Sequence, residues 1–301
     1  MKFHTLKPSY VDVEFASVDE LIRCSNLEDG YVNPKSSSKQ AASRREVHLD
    51  RRSEAAGGRD DWYQDITTEE KLAKATANPP DWLIDGGKRC LASINAAIGS
   101  GLQTPAKRRR RIGVEDGDTV NIDRYLMRSP EPWERMEQHR NTSPIIRITF
   151  DMVTSGGSDK EDLLWRGAAA VASAMQIERL GGRCEIVGIN TVQTPDKDRK
   201  MKKQIIRVMI KPAHVKATLS STLFASAHVG FYRFVVVQAI NSLTLQGANS
   251  GHGHCINTPS DVLTEVGSDI HIPRNCKTEA HAIQTANVAA QTYLAKTGTA
   301  A

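Results

Sequence analysis

A chain of 301 residues with 40 Lys and Arg against 35 Asp and Glu carries a net charge of +5, which argues for solubility more than for a dedicated polyanion-binding surface. Hydrophobic residues make up 39% and mean hydropathy is −0.42, low for a single compact core, so the length predicts about two units with part of the chain in uncovered loop. No apolar run reaches the roughly 18 residues a bilayer crossing needs, and Cys24, Cys90, Cys184, Cys255 and Cys276 are odd in number and lack Cys-x-x-Cys spacing, so neither a disulfide framework nor a zinc ribbon is suggested.

Val11 to Ala16 reads as a short strand, followed by a helical turn through Asp19-Glu-Leu-Ile-Arg-Cys24. From Asn33 to Arg59 apolar residues nearly vanish, and such a segment cannot bury enough surface to offset its ordering entropy. Thr67-Thr-Glu-Glu70 has capping-box spacing ahead of a helix to Ala77, and Asn78-Pro-Pro80 breaks it. A second helix runs from Asp81 to Ile98, with Trp82, Ile84, Leu91, Ile94 and Ile98 at near-helical intervals. Gly99 to Ile112 reads as a basic linker, and Val120 to Leu126 with Pro132 to Met136 forms a short ordered bridge. The predicted organisation is a strand and helix over 1–32, a mobile loop over 33–59, a mainly helical unit over 60–140 with its linker at 99–112, and an α/β domain over 141–301.

The last unit is the most legible. Ile145-Ile-Arg-Ile-Thr-Phe-Asp151 is a strand ending in a carboxylate, and Ser158 stands three residues before Glu161 to cap a helix. Leu164, Ala168, Val171, Ala172 and Met175 form its apolar stripe, and Gly181-Gly182 ends it. Strands follow at Arg183 to Asn190 and Gln204 to Ile210, then a helix from His214 to His228. Phe231 to Ile240 fits helix or strand equally, and a strand at Asp269 to Pro273 precedes a terminal helix from Thr278 to Leu294. The order predicts a Rossmann-like, mostly parallel sheet flanked by helices, with the carboxyl end of the first strand as the place to seek function.

The strand ending on Asp151, the serine-bearing loop after it, the small-residue helix Arg166-Gly-Ala-Ala-Ala-Val-Ala-Ser-Ala174 and the strand Arg183-Cys-Glu-Ile-Val-Gly188 resemble a von Willebrand A-type domain. Asp118 to Leu126 and Pro132-Trp133 also resemble an uncharacterised family of tailed phages and bacteria; together the resemblance covers roughly residues 60–295. It implies a protein partner, an AAA-type ATPase in the first instance, and a magnesium ion on an Asp-x-Ser-x-Ser loop. Asp151 and Ser155 match that loop, but Val153 replaces the first serine and no Asp-Gly follows Lys211, so a cation wanting six oxygens keeps too few ligands. Asp151, Thr154, Ser155 and Ser158 therefore read as an interaction edge or degenerate metal loop, with Asp151 bonding backbone amides.

Lys107, Arg108, Arg109, Arg110 and Arg111 are the strongest charge run and, with Arg199, Lys200, Lys202 and Lys203, the candidate nucleic-acid contact; Glu115, Asp116 and Asp118 follow at once and no aromatic residue is interleaved. His252, His254 and Cys255, with His271 and Cys276, carry zinc-ligand chemistry at a spacing that matches no familiar site. No Gly-x-Ser-x-Gly elbow or phosphate-binding glycine loop occurs. Trp62, Trp82, Trp133 and Trp165 read as packing residues. The expectation is a cytoplasmic, phage-type, non-enzymatic protein-interaction or assembly module without a cofactor. The alternatives are a nucleic-acid-binding accessory protein and a metal-dependent hydrolase, with magnesium as the cofactor the resemblance would supply.

Overall fold

The computed structural model describes residues 2–4, 10–25, 66, 69–98, 109–114, 119–137, 144–152, 160–195, 201–217, 219–236, 239 and 254–297. The loop expected at 33–59 lies outside them. Strands β1 (Lys2–His4) and β2 (Tyr10–Phe15) lead into helix α1 (Val18–Ser25), then α2 (Glu69–Ala77) and α3 (Asp81–Ile98). A small unit follows, made of β3 (Arg109–Val114), β4 (Thr119–Val120), α4 (Ile122–Leu126) and β5 (Trp133–Glu137). Next come β6 (Ile145–Asp151), α5 (Lys160–Arg179), β7 (Arg183–Pro195), β8 (Met201–Lys211) and α6 (Leu219–Ala227). The short α7 (Val229–Phe231) runs into a π-helical turn, Tyr232–Val236; then β9 (His254–Cys255), α8 (Ser260–Val266), β10 (Ile270–Ile272) and α9 (Glu279–Thr297) follow.

The main sheet has the order β1-β2-β8-β7-β6-β10, with β9 pairing β7 off this path. Among β2, β8, β7, β6 and β10, only the β8–β7 pairing is antiparallel; the other neighbours are parallel. Alternation along β6 sends Ile146, Ile148 and Phe150 into the large core and Arg147, Thr149 and Asp151 to the other face. On that other face Val262 and Val266 of α8 pack on Val187, Ile189 and Ile205. Helices thus flank both faces, and the fold is the Rossmann-like α/β arrangement the sequence predicts. The first predicted strand is part of this sheet, since β2 lies parallel to β8 from Tyr10↔Lys203 to Phe15↔Val208.

Three segments differ from the sequence reading. The stripe on α5 is buried all round rather than on one face: Ala168 to Ala172 are fully covered, because α3, α6 and α9 all pack on it. A methyl group at Gly167 would stand 2.7 Å from Ala227 Cβ, so glycine there sets how closely α5 and α6 approach. Helix α6 begins at Leu219 rather than His214, because Val215 N–H bonds Pro212 O (3.2 Å) and Ala217 N–H is held by the Glu178 carboxylate (3.2 Å). The basic stretch 99–112 is not linker throughout: Arg109, Arg110 and Arg111 lie on β3 opposite Glu137, Met136 and Arg135 of β5, whose backbone satisfies theirs. Trp82 and Trp165 pack against the core as predicted, and Trp62 is outside the described residues.

A buried charge cluster fastens β2 to the rest. Arg207 on β8 pairs with Asp12 on β2, both almost fully buried, and with Glu265 on α8 at 3.2 Å. Breaking such a cluster strands a charge in the interior. Arg207→Met should cost about 3–5 kcal/mol in urea unfolding, and Asp12→Leu added to it should recover most of the loss.

His228, at the end of α6, is packed between Trp82 and Phe224 with ring centroids 5.4 and 5.1 Å away, and its Nδ1 accepts the Phe231 amide at 3.2 Å. Burial pushes its pKa down to about 4. Above the ordinary imidazole range both folded and unfolded forms are neutral, whereas below it the unfolded chain takes a proton that the folded chain refuses until about pH 4. Stability should therefore fall as pH drops from about 6.5 to about 4, by on the order of 3 kcal/mol from this residue. Subtracting the His228→Phe unfolding profile from the wild-type profile should isolate that slope, and parallel profiles would contradict it.

Candidate interaction edge at the carboxyl end of the sheet

From β6 the chain proceeds to β7 and β8 on one side and later returns to β10 on the other, so the strand order reverses at β6. In open α/β sheets ligands sit in the crevice beyond the carboxyl ends of the strands at such a reversal. Asp151 ends β6 there, and Arg274 lies just past β10.

Strand β6 stops at Asp151, opposite Ile189, while β7 continues to Pro195. The edge of β7 thus left open is taken by β9, with Val192↔Cys255 and Gln193↔His254, and Ile256 N–H bonds Thr191 O at 3.2 Å. The segment after β9 covers Asp151 completely. Asp151 is therefore not on an exposed rim: its own strand is too short to fill the sheet edge, and a later segment closes over it. Thr258 donates its hydroxyl to Asp151 Oδ1, and the Arg274 amide donates to Oδ2 at 3.0 Å. The backbone amide that Asp151 accepts from is thus 123 residues away in the chain.

Arg166, buried in the first half of α5, donates from Nη1 to Asp151 O at 2.7 Å and from Nη2 to Arg274 O at 2.8 Å. Burial lowers its pKa, while the Asp151 carboxylate opposes that shift. Arg274 in turn donates from Nη1 to Cys255 O at 2.8 Å. On the far side, His271 Nδ1 lies 3.0 Å from Thr149 Oγ1 and its Nε2 lies 3.7 Å from Asp151 Oδ1. Thr191 and Thr258 hydroxyls meet at 3.2 Å, and Tyr232 donates its hydroxyl to Asn190 Oδ1 at 3.1 Å.

This arrangement locks segments together more readily than it reacts. Thr149, His271 and Asp151 follow one another as hydroxyl, imidazole and carboxylate, yet Thr149 is fully buried and already bonded to Ser268 at 2.7 Å, so no substrate reaches its oxygen. Burial raises the pKa of Cys255 and of Cys276, against the depressed value a reactive thiol needs. Among the described residues no three His, Cys, Asp or Glu side chains gather as a metal-ligand set.

Of the candidate site residues named from sequence, Thr154, Ser155, Ser158, Lys107, Arg108, Arg199, Lys200 and His252 lie outside the described residues. His254 and Cys255 form β9, and His271 and Cys276 flank the same corner, so four of the five zinc candidates fall in one region. Arg109, Arg110 and Arg111 lie in succession on β3, paired with β5 through the backbone. Sequence reasoning missed Arg166, Thr258 and Arg274. Only Arg166 left a signal, as a lone cation opening an otherwise small and apolar helical run.

A family model described as "Domain of unknown function (DUF7192)" matches residues 10–301, and the chain belongs to that family. No curated protein and no solved structure matches the chain at a significant level. Among the described residues no helix is long and apolar enough to cross a membrane.

Asp151→Ala should cost about 2–5 kcal/mol, because the Thr258 hydroxyl and the Arg274 amide both lose their acceptor. Thr258→Val, which removes one donor, should cost about 1–3 kcal/mol. Chemical denaturation of both variants checks the order, and equal, small losses would show that the corner is not held this way.

Proposed function

We propose that this chain is a non-enzymatic protein-interaction or assembly module of the von Willebrand A-like type, phage-encoded and cytoplasmic, that meets its partner at the loop beyond Asp151 without a bridging metal. The observation that carries the reading is the full engagement of the Asp151 carboxylate by Thr258 and Arg274. In the A-type pattern that carboxylate is a cation ligand. Here its acceptor positions toward the sheet edge serve to hold the polypeptide, which leaves recognition to the loop and its neighbours. The reversal of strand order at β6 supports the same location. The resemblance names an AAA-type ATPase as the first partner to seek.

Affinity capture with the full chain as bait, in magnesium and in chelator, tests this. The same partner should be recovered in both conditions and lost with Ser155→Lys. Capture only with magnesium would overturn the metal-free reading, and capture unaffected by Ser155→Lys would move the binding surface elsewhere.

A further inference from the structure

The strands β4 and β5 are antiparallel neighbours, and residues 121–132 form the tip that joins them. The tip is closed at its base by the Asn121 amide on Pro132 O (2.8 Å). It is ordered internally by the Asn121 side chain capping Arg124 N–H (3.2 Å), by Met127 N–H on Asp123 O (3.0 Å) and by Ser129 N–H on Arg124 O (2.9 Å). None of the residues of α4 is buried. Ile122 is 69% exposed, Tyr125 65%, Leu126 72% and Met127 81%, and these are half of the large exposed hydrophobic side chains among the described residues. Four neighbouring apolar side chains on one closed turn form a patch, which scattered single residues do not.

The charges around the patch identify what covers it. In a chain of net charge +5, the segment 121–132 is neutral, with Asp123 and Glu131 against Arg124 and Arg128. Asp123 stands in the first turn of α4, and Arg128 follows its end with φ +56, so the two charges lie at opposite ends of the apolar side chains. Both are exposed, and neither has an ion-pair partner among the described residues. A surface with an anion at one end, a cation at the other and an apolar centre complements itself when turned through a half rotation, which is the requirement of a two-fold interface.

We infer that α4 is a homodimerisation surface, on which a second copy of this chain packs Ile122, Tyr125, Leu126 and Met127 against the same four residues with Asp123 of each copy facing Arg128 of the other. The contact is small and belongs to the weak, reversible class, with dissociation in the micromolar range. It is independent of the rim beyond Asp151, and either can fail without the other.

Sedimentation equilibrium of the full chain across roughly 1 to 200 µM is the test. Wild type should show a monomer–dimer equilibrium. Asp123→Arg alone, Arg128→Asp alone and Leu126→Asp should each weaken association at least about tenfold. Combining Asp123→Arg with Arg128→Asp in one chain should restore it to within about threefold of wild type, as should mixing the two single variants. All these positions are exposed, so the far-UV spectrum should be unchanged throughout. A chain that stays monomeric over the range, or a dimer indifferent to the charge exchanges, would overturn the inference.

Discussion

The mismatch in length between two neighbouring parallel strands organises the carboxyl end of the sheet. Strand β6 ends at Asp151 while β7 runs on to Pro195, and backbone groups on the uncovered edge of β7 must find partners. The chain meets that requirement with β9, drawn from about a hundred residues downstream, and in doing so lays Thr258 and then Arg274 over the Asp151 carboxylate. A buried carboxylate is tolerable only when paired and fully hydrogen-bonded. Arg166 supplies the charge from below, and its two outer nitrogens are taken by carbonyls of the two segments being joined. One anion and one cation thereby fix the end of β6, the start of α5 and the segments on either side of β10.

That Arg166 can serve this role depends on the helix that carries it. Helix α5 is enclosed by three helices and the sheet, and only residues as small as those of its Gly-Ala-Ala-Ala-Val-Ala-Ser-Ala run allow so many neighbours to approach. Glycines on the surrounding helices work the same way: a methyl group at Gly86 of α3 would stand 2.9 Å from Leu164. The amino-terminal helices are thus packed into the same core as the sheet. A cavity or an overpacked side chain in α5 would be felt at the corner that Arg166 holds.

The elements of the α/β unit were legible because several local signals agree at each of them. Helix α5 has an apolar pattern and a glycine pair, and Gly181, with φ +82, sits where the pair predicts the helix to stop. Strands β6, β7 and β8 are β-branched runs whose ends are marked by turn residues, and they pair as neighbours in sequence order. What stayed hidden was non-local. Nothing in Tyr10-Val-Asp-Val-Glu-Phe15 says that it will lie beside β8, because the reason is a charge partner, Arg207, almost two hundred residues away. Thr258 and Arg274 were invisible for the same reason, being ordinary loop residues until the fold brings them to Asp151. The strand character of Arg109 to Val114 was masked by its charge, since only the pairing with β5 satisfies its backbone.

The two surfaces singled out differ in how they use polar groups. At the sheet's carboxyl end, carboxylate, guanidinium and hydroxyls are turned inward and consumed by one another, so that corner holds its polar groups for the fold. At α4 the arrangement is the reverse: the backbone of the tip is satisfied internally, while its apolar side chains and the charges of Asp123 and Arg128 face outward. Holding Ile122, Tyr125, Leu126 and Met127 in water forgoes burial worth about 1.5–3 kcal/mol for a side chain of this size. A tip that exists only to connect β4 to β5 would be better served by polar residues, so the ordered turn with its apolar face is best explained by what docks on it.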